Sequence, residues 1–188
     1  MATDDEHARG LLSAIAGRDE AAMAAFYKLF GRQVYAFALR QLSNPDEAEE
    51  TVIETMMEVW NAAGRFAGQS QARTWLFGIA RHRALDKLRR RGRNEWVDID
   101  EMGETLADEN DESGFERLAR EQRAEHVAHC LERLSPEHRE CLHLVFFEEM
   151  GLAEVAELQQ VPEGTVKTRV FHAKKNLKRC LERRLEHD

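Results

Sequence analysis

The side chains in this sequence that could do chemistry are mainly cations. From Arg73 to Arg93 there are eight basic residues (Arg73, Arg81, Arg83, Lys87, Arg89, Arg90, Arg91, Arg93) against Asp86 alone. They stand beside an aromatic-bearing loop with Phe66 and a Trp75-Leu76-Phe77 run. Guanidinium and ammonium groups neutralise phosphates, and aromatic faces stack on unpaired bases, so this combination suits single-stranded or distorted DNA. A solvated basic face on a core helix would use the same residues. Catalytic arrangements are missing: there is no Gly-rich phosphate loop, no nucleophile elbow and no paired carboxylates on a recognisable scaffold. His82 and Asp86, at i and i+4, have the spacing of a general-base pair but equally that of an ordinary helix-surface hydrogen bond. The chain reads as a non-enzyme without a cofactor. His126, His129 and Cys130 share a helical face, and His138, Cys141 and His143 lie near the next helix. Such ligands could hold zinc or copper. No CxxC or His-x3-His pair occurs, so no metal site is assigned, and Cys130 and Cys141 read as small core residues.

The second cationic run lies on a recognisable scaffold. From Val155 to Lys175 the spacing predicts a helix-turn-helix. Ala156, four residues before Gln160 and ten before Val166, lets two short helices cross closely. Val161-Pro162-Glu163-Gly164 ends the first helix and starts the second, with proline suited to a first turn because its missing N–H has no partner there. The second helix carries Lys167, Arg169, Lys174, Lys175, Lys178 and Arg179. In such motifs the start of the second helix enters the major groove while basic groups hold phosphates. An amphipathic hairpin with a solvated basic face is the plainer alternative.

The elements that must position these groups are helical. The chain has 188 residues, 33% charged and 43% hydrophobic, with only three prolines, and no extended period-2 pattern. No apolar window of about 18 residues exists to span a membrane. The acidic start, MATDDEHARG, lacks an apolar signal core, so a cytoplasmic protein without membrane insertion is expected. Three scattered cysteines (Cys130, Cys141, Cys180) are expected to be reduced thiols. The formal net charge is −8, but the two basic blocks flank an acidic one, Asp98 to Glu116, as two DNA-facing modules flank a linker.

Residues 1–7 are expected to be disordered, with a short helix over Ala8–Ala16. Asp19 is set to cap a helix from Glu20 to Leu42, whose Met23, Phe26, Phe30, Val34 and Phe37 recur at helical spacing. Asn44-Pro45-Asp46-Glu47 starts the next, to about Ala63. Its Glu47, Glu50, Glu54 and Glu58 form an acidic row that is either a solvated face or a docking surface for a basic partner. After a loop over Gly64–Gln71, a further helix is expected to pack Trp75, Ile79 and Leu85, widened by Leu76, Phe77 and Leu88, with Arg81, Arg83, Lys87 and Arg90 covering the rest. Residues 94–115 read as a flexible linker. Helical pattern resumes near Glu116, and Ser135-Pro136 starts the helix before the helix-turn-helix.

With these blocks in order, the chain resembles the extracytoplasmic-function (ECF) sigma factors of the sigma-70 family. The resemblance lies in Asp46 through Trp60, in Phe66 with Thr74 through Asp86, and in Leu134-Ser135-Pro136 through Arg169, and covers nearly the whole chain. It implies an all-α fold of two small helical domains joined by a flexible acidic linker: sigma domain 2 over 1–94, the linker over 95–115 and sigma domain 4 over 116–188. It implies core RNA polymerase and promoter DNA as partners, with an anti-sigma factor as the usual control. Asp46, Glu50, Ile53 and Glu54 would bind polymerase. The loop Arg65–Gln71 would accept a flipped base of the non-template strand. Phe66, Arg73, Trp75, Arg81, His82 and Arg83 would serve the −10 element, the last three facing the unwinding duplex. Thr165, Lys167, Thr168, Phe171 and His172 would meet the −35 element, with Arg169 and Lys174 on phosphates. The sequence departs from the family pattern at Ile53 (usually Gln), which bears on the polymerase contact, at His82 (usually Asn), which bears on local promoter preference, and at Gly151 (usually Ser), Gln159 (usually apolar) and Gln160 (usually Gly), which predict a looser −35 domain. A helix-turn-helix regulator acting without core polymerase, possibly metal-responsive, is the alternative; it would need neither the Trp75 block nor the acidic helix.

Overall fold

The computed structural model describes residues 2–94 and 125–185. The expected linker over 95–115, and the helix expected from Glu116, fall outside these residues as far as 124. The chain divides into two compact units, residues 1–101 and 102–188. No strand occurs among the described residues.

The first unit holds α1 (Ala2–Ala16), α2 (Glu20–Leu42), α3 (Pro45–Ala62), a 3-10 turn (Ala63–Arg65) and α4 (Ala72–Asn94). Local chemistry sets its boundaries. The Asp19 carboxylate accepts from the Ala22 N–H at 3.0 Å, and Asn44 Oδ1 accepts from the Glu47 N–H at 2.9 Å, with Pro45 at the first helical position. Each cap satisfies a backbone donor that the helix itself cannot, a contribution of about 1 kcal/mol. The core joins Leu12 and Ile15 of α1, Phe26, Val34 and Phe37 of α2, Val52 and Val59 of α3, and Leu76 and Phe77 of α4. Phe37 and Phe77 meet edge to face at 5.4 Å between centroids.

Three expectations for this unit are corrected. Residues 2–7 belong to α1. Asp4 and Asp5 sit in its first turn, where carboxylates oppose the positive end of the helix dipole, and Ala8, Leu12 and Ile15 bury its inner face. In α4 the buried stripe is Leu76, Phe77, Ala80 and Ala84, while Trp75, Ile79 and Leu85 are only half-buried. The two small alanines let α4 lie close against its neighbours. Lys87, expected on the solvated face, is buried.

The second unit holds α5 (125–132), α6 (Pro136–Phe146), α7 (Leu152–Gln159) and α8 (Glu163–Leu185). Ser135 caps α6, with Pro136 in its first turn. Leu134, Leu142 and Ala173 form a core cluster with Leu131, Val170 and Leu177 packed on it. Val155, Ala156 and Val166 are buried at the crossing of α7 and α8. The cysteine expectation fails for two of the three. Cys130 of α5 and Cys180 of α8 form a disulfide, with Cα atoms 5.7 Å apart. Their 50-residue separation hides a pairing that only the packing of α8 on α5 creates. Cys141 is the remaining free thiol, and it is buried.

Candidate nucleic-acid and polymerase interfaces

The loop before α4 is built around aromatic and cationic side chains. The rings of Phe66 and Trp75 lie 5.4 Å apart, tilted by 53°. The Arg9 guanidinium of α1 stands over the Phe66 ring, 5.5 Å from its centroid. Arg9 also donates to the backbone carbonyls of Gly68 (3.2 Å) and Ser70 (2.7 Å). Gly68 has φ +70°, which favours glycine, and a Cβ there would crowd Arg9 Nη1 at 3.0 Å. Asp5 completes the arrangement. Its carboxylate accepts from Arg9 Nε at 2.5 Å and from the Ala72 N–H at the start of α4 at 2.8 Å. Along α4, Arg73, Arg81 and Arg83 are half-buried and His82 is exposed. His82 Nδ1 lies 3.5 Å from Asp86, which suits a helix-surface contact rather than a general-base pair.

The acidic row of α3 is not merely solvated, although Glu50 stays largely exposed. It runs antiparallel to the cations of α4. Glu58 accepts from Arg83 at 2.7 Å, Glu50 and Glu54 accept from Lys87 at 2.6 and 3.0 Å, and Glu47 pairs with Arg91 at 2.5 Å. Arg91 also donates to the Leu42 carbonyl at 2.8 Å. Lys87 holds the middle of this ladder. Burial pulls its pKa down, but the hydrogen bonds and charges of Glu50 and Glu54 outweigh burial, and the net shift is upward. The hydrogen bond from Lys87, and then its charge, hold the Glu50 carboxyl below its ordinary value. Arg83 is therefore tied to α3 as well as placed on the basic face, and Glu54 leans toward α4. What α3 turns outward is a stripe of Asp46, Glu50, Ile53 and Met57. Ile53 and Met57 are 58% and 60% exposed, an apolar pair one turn apart. Sequence reading singled out Ile53 but not Met57.

In the second unit every −35 candidate lies on the first half of α8. Lys167, Thr168, Phe171, His172 and Lys174 are exposed, and Thr165 and Arg169 are half-buried. The rings of Phe171 and His172 meet edge to face at 5.4 Å. Lys174 stands 4.4 Å over the Phe146 ring at the end of α6. The turn before α8 takes the form that its family departures imply. Gln160 occupies the left-handed region, with φ 56° and ψ 46°. Gly151 caps α7 without a side chain, and its N–H donates to Glu154 at 2.9 Å. Gln159, where an apolar residue was expected, is buried and joins three helices by side-chain hydrogen bonds. Its amide donates to Glu140 of α6 at 2.7 Å, and its carbonyl accepts from Arg169 of α8 at 2.8 Å and from the Cys141 thiol at 3.3 Å. Burial pushes that thiol's pKa up, which keeps it protonated as a donor. Polar ties thus replace an apolar contact beside the candidate recognition helix, and they orient Arg169.

Three of the six metal candidates have other partners. Cys130 is bridged to Cys180, Cys141 serves Gln159, and buried His143 lies 3.1 Å from Glu148. Among the described residues no group of three or more His, Cys, Asp or Glu side chains is placed to hold a metal ion.

These two surfaces coincide with two family matches. Sigma-70 region 2 matches residues 26–94, and Sigma-70, region 4, matches residues 125–177. The ECF RNA polymerase sigma factor SigK of Mycolicibacterium vanbaalenii is 31% identical over 179 residues, covering 91% of this chain and 87% of that protein. The chain belongs to the ECF RNA polymerase sigma factors. SigK of Mycobacterium tuberculosis H37Rv is 30% identical to this sigma factor, with 92% of each chain covered. Among solved structures, the sigma factor RpoE of Bartonella quintana, crystallised with the anti-sigma factor NepR, is similar with a TM-score of 0.70 and 26% identity. That match covers 83% of this chain and 94% of RpoE. CnrH, solved with the cytosolic domain of CnrY, shares the fold with a TM-score of 0.69 at 22% identity, over 94% of this chain and 97% of CnrH. No helix among the described residues is long and apolar enough to cross a membrane.

The region 2 match begins at residue 26, after α1. Asp5 and Arg9, which hold the loop of this sigma factor, therefore lie outside the matched family blocks. Their i, i+4 spacing of opposite charges was the available signal.

Proposed function

We propose that this sigma factor divides promoter recognition between its units, with residues 1–94 binding core RNA polymerase and opening the −10 element, residues 116–188 reading the −35 element as duplex, and residues 95–115 linking them. On the first unit, Asp46, Glu50, Ile53 and Glu54 contact polymerase, with Ile53 and Met57 as the apolar centre of that contact. Phe66 and Trp75 frame a pocket for an unpaired base, and Arg73, Arg81, His82 and Arg83 carry the strand beside it. On the second unit, Thr165, Lys167, Thr168, Phe171 and His172 meet base edges, while Arg169 and Lys174 hold phosphates. Helix-turn-helix modules dock in this way, the start of the second helix in the major groove. The protein acts in the cytoplasm, has no enzymatic activity of its own and is held inactive by an anti-sigma factor that covers its polymerase-binding faces. The Bartonella relative, solved with such a partner, supports that last assignment.

The observation that supports this reading is the presence on one chain of two unlike surfaces: an aromatic loop at the head of a cationic helix, and an exposed helix after a tight turn. The first suits unpaired bases and the second suits duplex. Run-off transcription with purified core polymerase on a library of promoter fragments tests it. Initiation that depends on this protein, at fragments sharing two spaced elements, is expected. DNA binding without any polymerase complex or initiation would replace the reading with a plain helix-turn-helix regulator.

A further inference from the structure

We infer that Asp5 and Arg9 of α1 are positioning residues for the base-accepting loop, and that they set how strongly the sigma factor discriminates at the flipped base of the −10 element. The inference rests on the reading of the loop given above. Its support is geometric. The loop backbone is held from outside by one side chain: Arg9 Nη1 and Nη2 bind the carbonyls of Gly68 and Ser70. The same guanidinium covers the Phe66 ring, which also packs on Trp75. Arg9 is fixed in turn by Asp5, and Asp5 also caps α4 across 67 residues of sequence by accepting from the Ala72 N–H. One pair of charges therefore ties together the loop's tip, the loop's aromatic wall and the start of the helix that bears Trp75. α1 is itself anchored, because Ala8, Leu12 and Ile15 are buried, so the pair is presented from a rigid element.

Base discrimination needs such rigidity. A pocket that can reshape accepts several bases with similar affinity, whereas a fixed one leaves polar groups unpaired when the wrong base enters. Arg9 is well suited to hold it, since a planar guanidinium can bind two carbonyls and stack on an aromatic ring at once. Lysine could satisfy only part of this arrangement. The Arg9 side chain is 37% exposed, so its loss removes a brace without opening the core.

The test uses holoenzyme assembled from core polymerase and the full chain. The probes are fluorescent single-stranded oligonucleotides carrying the non-template −10 element of a promoter recovered from the run-off library, in four versions that differ at the flipped base. Arg9→Ala is expected to reduce the ratio of best to worst base affinity by about 5- to 10-fold, the scale of one ordinary hydrogen bond. Arg9→Lys is expected to fall between Arg9→Ala and wild type. Gly68→Ala, which puts a Cβ against Arg9, is expected to reproduce the Arg9→Ala defect. Affinity for core polymerase and for −35 duplex should stay at the wild-type level in all three variants. A wild-type base ratio in Arg9→Ala would overturn the inference and leave the function intact. Parallel loss of core affinity would also overturn it, because α1 would then support the unit as a whole. If wild-type holoenzyme initiates but binds all four oligonucleotides equally, the reading of the loop fails, and this inference fails with it.

Discussion

Gln160 takes a backbone conformation in which an L side chain meets its own carbonyl, at a cost of about 1 kcal/mol that glycine avoids. Gln160→Gly is therefore expected to stabilise the second unit by about 0.5–1 kcal/mol, seen as a higher denaturant midpoint with an unchanged slope. A lower midpoint would mean that the glutamine side chain contributes more than its backbone costs. The left-handed turn at Gln160 was legible in the sequence, as were the caps Asp19, Asn44 and Ser135 and the prolines beside the last two. All of these act within about three residues, so pattern and mechanism lie together in the chain. Gln159 was not legible. Its expected apolar role gave way to hydrogen bonds with Glu140, Cys141 and Arg169, partners that only the packing of three helices brings together.

Between elements, the ladder from α3 to α4 carries two predictions about the first unit. Lys87→Ala removes the donor shared by Glu50 and Glu54 and is expected to destabilise by about 1–2 kcal/mol, since the acids remain partly hydrated. Chemical unfolding of the full chain measures this, and an unchanged first-unit transition would contradict it. The same contacts set a pH window. Glu50 titrates below its ordinary 4.5, so its contribution is complete above that pH and disappears as pH falls through the lower folded value. Lys87 titrates above its ordinary 10.5, so its contribution is complete below that pH and disappears as pH rises through the raised folded value. Stability of the first unit should decline at both extremes, and Lys87→Ala should flatten both declines. In the second unit, reduction or Cys180→Ser is expected to cost about 2–4 kcal/mol by freeing a long loop in the unfolded chain. A thermal scan in which reductant lowers the second-unit transition and spares the first would bear this out, and an unmoved transition would contradict it. The ladder was half legible: Glu47, Glu50, Glu54 and Glu58 stood out as a row, and Arg83, Lys87 and Arg91 repeat every four residues. Reading each row as an outward face hid the pairing, because a charge row and its partner row look equally solvent-facing until the helices are set antiparallel. The disulfide had no local signal at all.

Across the whole molecule, a net charge of −8 is compatible with the two DNA-facing surfaces proposed above because the acids are unevenly placed. The α3 row neutralises part of α4, and the densest acidic block lies between the units in sequence. On the proposed function, the remaining cationic and aromatic groups of α4 and α8 serve DNA, and the apolar pair Ile53 and Met57 serves polymerase. Family membership was legible early because three separated blocks occur in the right order. The role of α1 was not, since it precedes them. On the proposed function, the chain makes core polymerase open promoters. Permanganate footprinting of unpaired thymines on a promoter from the run-off library tests it most directly. Reactivity confined to the −10 region, present only when core polymerase and this sigma factor are added together, is the expected result. Bound but fully duplex DNA, or opening by core polymerase alone, would contradict the account.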